Sequence, residues 1–320
     1  MTVLSIDGGT TNTRLVLVRD GEILAAEKCG LGARNAVLDA SLSYADILTE
    51  KLRAFLATTQ IMPQLAVASG MICSEAGLAV TPYIQPPASA DKLAEHAVKF
   101  TLPQLPEFPL WLVSGMRTLG RTDDPTETDI MRGEETELLG LCGKVGDVSR
   151  AVILLPGSHF KTVFLNADGM AGDFRTSLSG ELLRAVAENT ILREKLMGVY
   201  PKMPDRDRLL AGCTCAAERG VNEALFKVRI RQKFCTDTSE QLFSFLLGAV
   251  LCADVERLRK DGRGRRVLVG GSDPLRFAYA FLLRECAGLA AEEIPEAISE
   301  YAAAYGAEQI ALALEKRKNG

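Results

Sequence analysis

Short apolar runs and their polar punctuation predict a β meander at the start of the chain, over residues 3–7, 13–19 and 22–29. Thr13 to Val18 alternates in the two-residue period of a strand. Asp20-Gly21 between the second and third runs is a strong two-residue hairpin signal. From residue 41 the period changes. Leu42, Ala45, Leu48, Leu52 and Phe55 form one stripe, which predicts a helix over 41–57. Strands follow at 65–68 and 110–113, separated by proline-marked, non-helical crossings at Pro82, Pro86, Pro87, Pro103, Pro106 and Pro109, and 117–128 is polar. A helix is expected from Gly133 or Glu134, with Leu138, Leu139 and Leu141 turned inward.

The strand–loop–strand pattern then returns, with apolar runs at 151–155 and 160–165 around Pro156-Gly157-Ser158-His159. Helical spacing covers 177–197 and 214–225, and Thr238 with Gln241 forms a capping box for a helix reaching about Lys260. A buried strand at 267–269 runs into Gly270-Gly271-Ser272-Asp273-Pro274. There Ser272 or Asp273 is the expected N-cap, Pro274 the first helical position and Gly288 the stop beyond Cys286. A last, alanine-rich helix is expected from 295 to 316.

At 320 residues the chain is long enough for two domains. Its 47% hydrophobic and 24% charged residues are those of a globular protein, and a net charge of −4 gives no support for nucleic-acid binding. No apolar run approaches the roughly 20 residues of a membrane span, and the sequence enters its first strand without a signal-peptide pattern. A cytoplasmic protein with reduced thiols is expected. The eight cysteines are scattered except for Cys213-Thr214-Cys215, and His96 and His159 are the only histidines, so a histidine-rich metal site is excluded.

Chemistry concentrates at three places. In V-L-S-I-D-G-G-T-T-N-T-R, 3–14, Gly8 and Gly9 permit close backbone approach, and Thr10, Thr11 and Asn12 add donors to the N–H groups of a phosphate nest. Asp7 is placed to hold a hydrated divalent cation. An ordinary glycine turn explains this segment equally well by itself. The following segment continues as a strand, which excludes a dinucleotide or Walker loop, where a helix follows. In M-R-G-E-E-T-E-L-L-G, 131–140, Glu134 and Glu135 suit either the dipole of a helix N-terminus or a general base. Gly270-Gly271 at a strand end suggests close approach of a flat or bulky ligand.

Together the two hairpin loops and the late strand–Gly-Gly–helix resemble the actin and hexokinase superfamily of phosphotransferases. I-D-G-G-T-T-N-T-R is similar to its first phosphate loop, L-P-G-S-H-F-K-T-V to its second and V-L-V-G-G-S-D-P to its adenosine motif. Within that superfamily, M-R-G-E-E-T-E-L-L-G, L-P-G-S-H-F-K, D-F-R-T-S-L-S-G-E-L and the Ser69-Gly70-Met71 loop resemble the 2-dehydro-3-deoxygalactonokinase family. Gly8 departs from the bulky aromatic of many relatives.

The resemblance implies an α/β protein of two actin-like ATPase (ribonuclease H-like) domains, each a mixed five-stranded sheet with flanking helices, and ATP in the cleft between them. The domains are expected at 1–128 and 129–304, with a helix at 305–317 packing back on the first. The implied reaction moves the ATP γ-phosphate to the C6 hydroxyl of 2-dehydro-3-deoxy-D-galactonate, a step of galactonate catabolism. Mg²⁺ would sit near Asp7, and nucleotide would bind Gly8 to Asn12, Gly157, Ser158, His159, Lys161, Gly270, Gly271 and Ser272. Lys161 or Arg14 would neutralise charge. Ser69, Gly70, Met71, Arg14, Arg132, Asp173 and Arg175 are the implied sugar-acid residues, with Arg175 suited to the carboxylate. The base falls on Glu134, with Glu135 and Asp129 as reserves. Neither a nucleic-acid nor a membrane partner is expected, and a homodimer is left open.

Overall fold

The computed structural model describes residues 1–9, 12–32, 43–103, 105–120, 122 and 124–319. Along the chain run β1 (Thr2–Gly8), β2 (Thr13–Arg19), β3 (Glu22–Cys29), α1 (Tyr44–Thr59), β4 (Leu65–Gly70), β5 (Tyr83–Ile84), α2 (Ala90–Glu95), β6 (Val98–Leu102), β7 (Leu105–Leu112), β8 (Gly115–Arg117), β9 (Ile130–Met131) and α3 (Glu134–Lys144). There follow β10 (Val152–Leu155), β11 (Phe160–Leu165), β12 (Ala171–Ser177), α4 (Ser179–Asn189), α5 (Arg193–Leu196), α6 (Arg206–Arg219), α7 (Val221–Phe234), α8 (Ser239–Asp261), β13 (Val267–Val269), α9 (Leu275–Glu285), β14 (Ala291–Glu293), α10 (Glu296–Ser299) and α11 (Ala302–Asn319).

Packing divides the chain into two units. The first is Met1–Asp147 with Met170–Asp173 and Glu300–Gly320, and the second is Val148–Gly169 with Phe174–Ser299. The division therefore falls after residue 147 rather than at 128, because α3 packs on α11 and not with the strands that follow it. α11 also lies against β1 and β4 of the first unit. Its crossing with α3 is closed by glycines. A Cβ on Gly140 would lie 1.9 Å from Ala302 O, and one on Gly306 1.9 Å from Thr136 O.

The first unit carries a six-stranded sheet in the order β3-β2-β1-β4-β7-β6. β1 pairs antiparallel with β2 and parallel with β4, so the hairpin side is antiparallel and the inner strands are parallel. The sixth strand, beyond the expected five, is β6. It lies antiparallel on β7 in the stretch whose prolines mark a non-helical crossing. Leu4, Ile6, Leu15, Leu17, Leu48, Leu52 and Phe55 bury the sheet against α1.

The second unit repeats the plan with five strands, β12-β11-β10-β13-β14. β10 and β11 form the hairpin, and β10, β13 and β14 run parallel. Its core is built on α8, whose Thr238–Gln241 capping box forms as the sequence predicts. The expected helix at 214–225 is two helices, because Gly220, at φ 81°, ends α6 and starts α7. The expected 177–197 helix is broken into α4 and α5. Among the described residues, no helix is long and apolar enough to cross a membrane.

Candidate active site

In the first unit the site is assembled where three chain ends meet. The pairing register sets Asp7, at the end of β1, opposite Arg14 of β2 and Ser69 of β4, and Gly8 opposite Thr13 and Gly70. The turn beyond β1 is closed by the Gly9 N–H donating to Asn12 O at 2.9 Å. Thr10 and Thr11 lie outside the described residues. Gly70, at φ 86°, has no room for a side chain: a Cβ there would lie 2.5 Å from Gly8 O and 3.4 Å from Asp7 Oδ1. On its other side stands Gly133, the φ 108° residue that opens α3, where a Cβ would lie 3.0 Å from Gly70 Cα. Two glycines thus bring the N-terminus of α3 onto the end of β1 and β4. Met71 begins the short 3₁₀ turn after β4, and Ser69 is buried.

The first turn of α3 carries Glu134, Glu135 and Glu137. They divide their work. Glu135 is 2% exposed, and both its carboxylate oxygens accept from the Gly133 N–H, at 2.9 and 2.8 Å. It closes its own helix end, and burial with the neighbouring Glu134 pushes its pKa up to about 8. Glu134 Oε2 accepts from the Arg132 N–H at 2.9 Å. Glu137, three residues on and on the same face as Glu134, feels the charges of Asp7 and Glu134. Burial and those two carboxylates push its pKa to about 8, against the pull of Arg14. Burial likewise raises Asp7, with Arg14 opposing. Glu137 is not among the residues singled out by motif. Its signal in the sequence is the three-residue spacing from Glu134, which places both on one helical face.

Two arginines of this unit are already engaged. Arg14 Nη1 donates to Glu300 O. Arg132 donates through Nη2 to Thr81 O at 2.9 Å and through Nη1 to Thr81 Oγ1, with its guanidinium 4.4 Å from the Tyr83 ring centroid. Asp129 accepts from the Ile130 N–H at 2.8 Å, on the strand before α3.

In the second unit, the Gly157–His159 loop joins β10 to β11 and is held by the start of α4, where the Glu181 N–H donates to Ser158 O at 3.1 Å. His159 Nε2 is 3.7 Å from Glu181 Oε1, and both side chains are open to solvent. Lys161 is the unusual group here. It is 4% exposed and donates to Thr176 Oγ1 at 2.7 Å. The Gly270 N–H donates to Leu154 O at 2.9 Å, and Gly271 lies against Pro156 O, so the Gly-Gly turn packs beside the loop. The N-cap of the next helix is Pro274, neither Ser272 nor Asp273, and the helix starts at Leu275, with the Asp273 carboxylate accepting from the Phe277 N–H at 3.2 Å. Arg175 is ion-paired with Asp261 and lies over Phe164, at the edge of a cavity of about 70 Å³ shared with Thr162, Ser177, Asp254 and Arg257. Asp173 groups with the first unit and Arg175 with the second, although the two are near neighbours on β12.

A model of the 2-keto-3-deoxy-galactonokinase family matches residues 7–305. The 2-dehydro-3-deoxygalactonokinase of Escherichia coli (strain K12) is 27% identical over 293 residues, which cover 88% of this chain and 90% of that protein. A Sinorhizobium meliloti crystal structure, provisionally described as a 2-dehydro-3-deoxygalactonokinase, superposes with a TM-score of 0.79 at 23% identity, covering 98% of this chain and 99% of that one. The activator of the 2-hydroxyisocaproyl-CoA dehydratase from Clostridium difficile, solved with bound ADPNP, superposes with a TM-score of 0.56 at 13% identity, over 100% of this chain and 98% of that one. The fold is that of the actin-like ATPases, a mixed α/β architecture.

Proposed function

The chain belongs to the 2-keto-3-deoxy-galactonokinase family, whose members are sugar-acid kinases, and on that footing we propose that it transfers the γ-phosphoryl group of ATP to the C6 hydroxyl of 2-dehydro-3-deoxy-D-galactonate. The product, a 6-phosphate, belongs to galactonate breakdown in a cytoplasmic setting. The observation that carries the site assignment is the close approach of Gly133, at the start of α3, to Gly70 beside Asp7, which brings the N-terminus of α3 and its carboxylates to the end of β1 and β4.

Phosphoryl transfer asks a protein for alignment and charge compensation more than for covalent chemistry. The first unit offers an anionic corner. Asp7 is held above the ordinary carboxylate range by burial, and Glu137 by burial together with the neighbouring Asp7 and Glu134, in both cases against the pull of Arg14. Such a corner fits a hard divalent cation. Among the described residues no group of three or more His, Cys, Asp or Glu side chains is placed to grip a metal by itself. Asp7 would be the protein-side carboxylate for Mg²⁺, with water and phosphate oxygens as its other ligands. When bound, Mg²⁺ neutralises charge on the β- and γ-phosphate oxygens.

We assign the base to Glu134. Glu135 turns both oxygens back onto the Gly133 N–H of its own helix end, while Glu134, which accepts from the Arg132 N–H, stands beside it in the first turn of α3 and acts on Glu137 through its charge. A carboxylate there takes the proton from the attacking hydroxyl. Phosphate oxygens are assigned to the backbones of Gly8, Gly9, Asn12, Gly157 and Ser158, with His159 beside them, and the nucleoside to Gly270, Gly271 and Ser272. Lys161, which donates to Thr176 Oγ1, is assigned to a phosphate oxygen as a charged donor. Ser69, Gly70 and Met71 line the sugar side. Arg14 and Arg132 reach the sugar acid only by giving up part of their present bonding, and Arg175 only in competition with Asp261.

Purified protein is incubated with Mg-ATP and, in turn, each of a panel of 2-keto-3-deoxy acids that includes both C4 epimers, and ADP is measured. ADP formation that depends on 2-dehydro-3-deoxygalactonate is expected. ATP turnover indifferent to every sugar acid refutes the reading, and a preference for another acid reassigns the substrate.

A further inference from the structure

In the second unit the loop after β10 is braced by the start of α4. A Cβ on Gly180 would lie 2.1 Å from Gly157 O and 2.9 Å from Ser158 Cα, so helix and loop touch backbone to backbone. The Glu181 N–H adds its bond to Ser158 O, while the side of the loop formed by Ser158 and His159 stays exposed. The start of α4 has no cap of its own: Leu178 stands at the N-cap and makes no side-chain bond there. Its anchor comes from α8. Ser179, buried and the first residue of α4, donates through Oγ to Asp254 Oδ2. Ser177 Oγ lies 2.8 Å from Ser179 Oγ and 3.1 Å from the same carboxylate oxygen, with one proton to share between them.

A second tether reaches that oxygen from α9, the helix that follows the Gly270-Gly271 turn. Tyr279 donates its hydroxyl to Asp254 Oδ2 at 2.8 Å. Tyr279 is 1% exposed, and its ring stacks on Phe160 with centroids 4.2 Å apart and planes 11° from parallel. Phe160 is the first residue of β11, directly after the loop. One carboxylate oxygen therefore holds two supports of the loop, the helix against Gly157 and the ring against Phe160. Hydroxyls make these bonds to Asp254, whereas Arg175, two residues before Ser177 on β12, is ion-paired with Asp261.

We propose that Asp254 is a positioning residue for the nucleotide, holding through Ser179 and Tyr279 the backbone that takes the phosphate oxygens. This rests on the assignment of Gly157 and Ser158 to those oxygens. Asp254 acts through its hydroxyl partners rather than on the ligand. Because Gly180 meets Gly157 without a side chain between them, slack at the start of α4 passes straight to the loop. In phosphoryl transfer a misplacement of about 1 Å costs on the order of 10² in rate. A carboxylate serving only the core would lower stability without singling out the nucleotide. All three hydroxyls fall on Oδ2, so an asparagine carbonyl in its place accepts them equally well, and the negative charge is not required.

The test is calorimetric titration of ADP into the purified full chain without sugar acid, followed by steady-state kinetics. Asp254→Ala is expected to weaken ADP binding at least about tenfold and to raise KM for ATP, with KM for the sugar acid within about twofold of wild type. Ser179→Ala should lose in the same direction, and the double variant should bind no more weakly than Asp254→Ala, because the first change already breaks the contact. Asp254→Asn should bind ADP within about threefold of wild type. If Asp254→Ala does not fold, Ser179→Ala with an unchanged melting midpoint decides the matter alone. Folded variants that bind ADP like wild type overturn the proposal, as do additive losses in the double variant or an Asp254→Asn as weak as the alanine variant. A wild-type chain that binds no ADP sinks the nucleotide assignment and this proposal together, which tells the two failures apart.

Discussion

Glu135 is a buried carboxyl that the folded protein keeps protonated, and this makes the first unit lose stability as the pH rises. The folded pKa is about 8, against a reference of 4.5. Below pH 4.5 both states carry the proton and there is no penalty. Between 4.5 and 8 the unfolded chain releases it while the folded chain holds it, so stability falls with pH, and above 8 the full penalty is present. A gap of about 3.5 pH units at about 1.36 kcal/mol each gives an upper limit near 5 kcal/mol. Glu135→Gln removes this term while keeping a carbonyl oxygen for the Gly133 N–H. Trp111, the only tryptophan, lies on β7 of the first unit, so its fluorescence follows that unit in urea. The expected result is a variant close to wild type at pH 5 and more stable by roughly 2–4 kcal/mol at pH 8.5. Parallel wild-type and variant curves across that range would refute the reasoning.

Other expectations follow from the same corner. Glu134→Gln should lower kcat by a factor on the order of 10² with a modest change in KM, measured by steady-state kinetics, and near-normal kcat rejects it as the base. Asp7→Asn should abolish Mg²⁺-dependent turnover yet raise the unfolding midpoint of the first unit, because it removes a carboxyl that burial disfavours when ionised. Gly140→Ala places a methyl 1.9 Å from Ala302 O. The α3–α11 crossing must open, at a cost of roughly 1–3 kcal/mol, which thermal melting will read as a lower midpoint.

The strands and loops that carry short-range signals were legible in the sequence. The Asp20-Gly21 hairpin, the strand at 160–165 and the Thr238–Gln241 box all follow from local turn, period and capping chemistry. What was lost depends on contacts distant in sequence. β6 and the start of β7 flank or cross a stretch where proline spacing argues only against helix, and their antiparallel pairing with each other makes them strands, while the end of β7 pairs with β4. Gly220 divides α6 from α7 by taking a positive φ that a helical window does not reveal. At the site, the loops were legible as motifs, but the roles of Glu135 and Glu137 were not. One carboxylate turns back onto the Gly133 N–H and the other faces Asp7, more than a hundred residues away, and only packing at Gly70 and Gly133 separates those fates. The engagement of Arg132 by Thr81 is likewise a long-range fact.

The most direct measurement is the structure of the product. Enzyme, Mg-ATP and 2-dehydro-3-deoxy-D-galactonate are incubated to completion, and the sugar product is examined by phosphorus-coupled carbon NMR. The account predicts one equivalent of ADP and a single phosphate ester whose phosphorus couples to the C6 carbon. An ester at another carbon, or ADP released with inorganic phosphate and unmodified sugar acid, would contradict it.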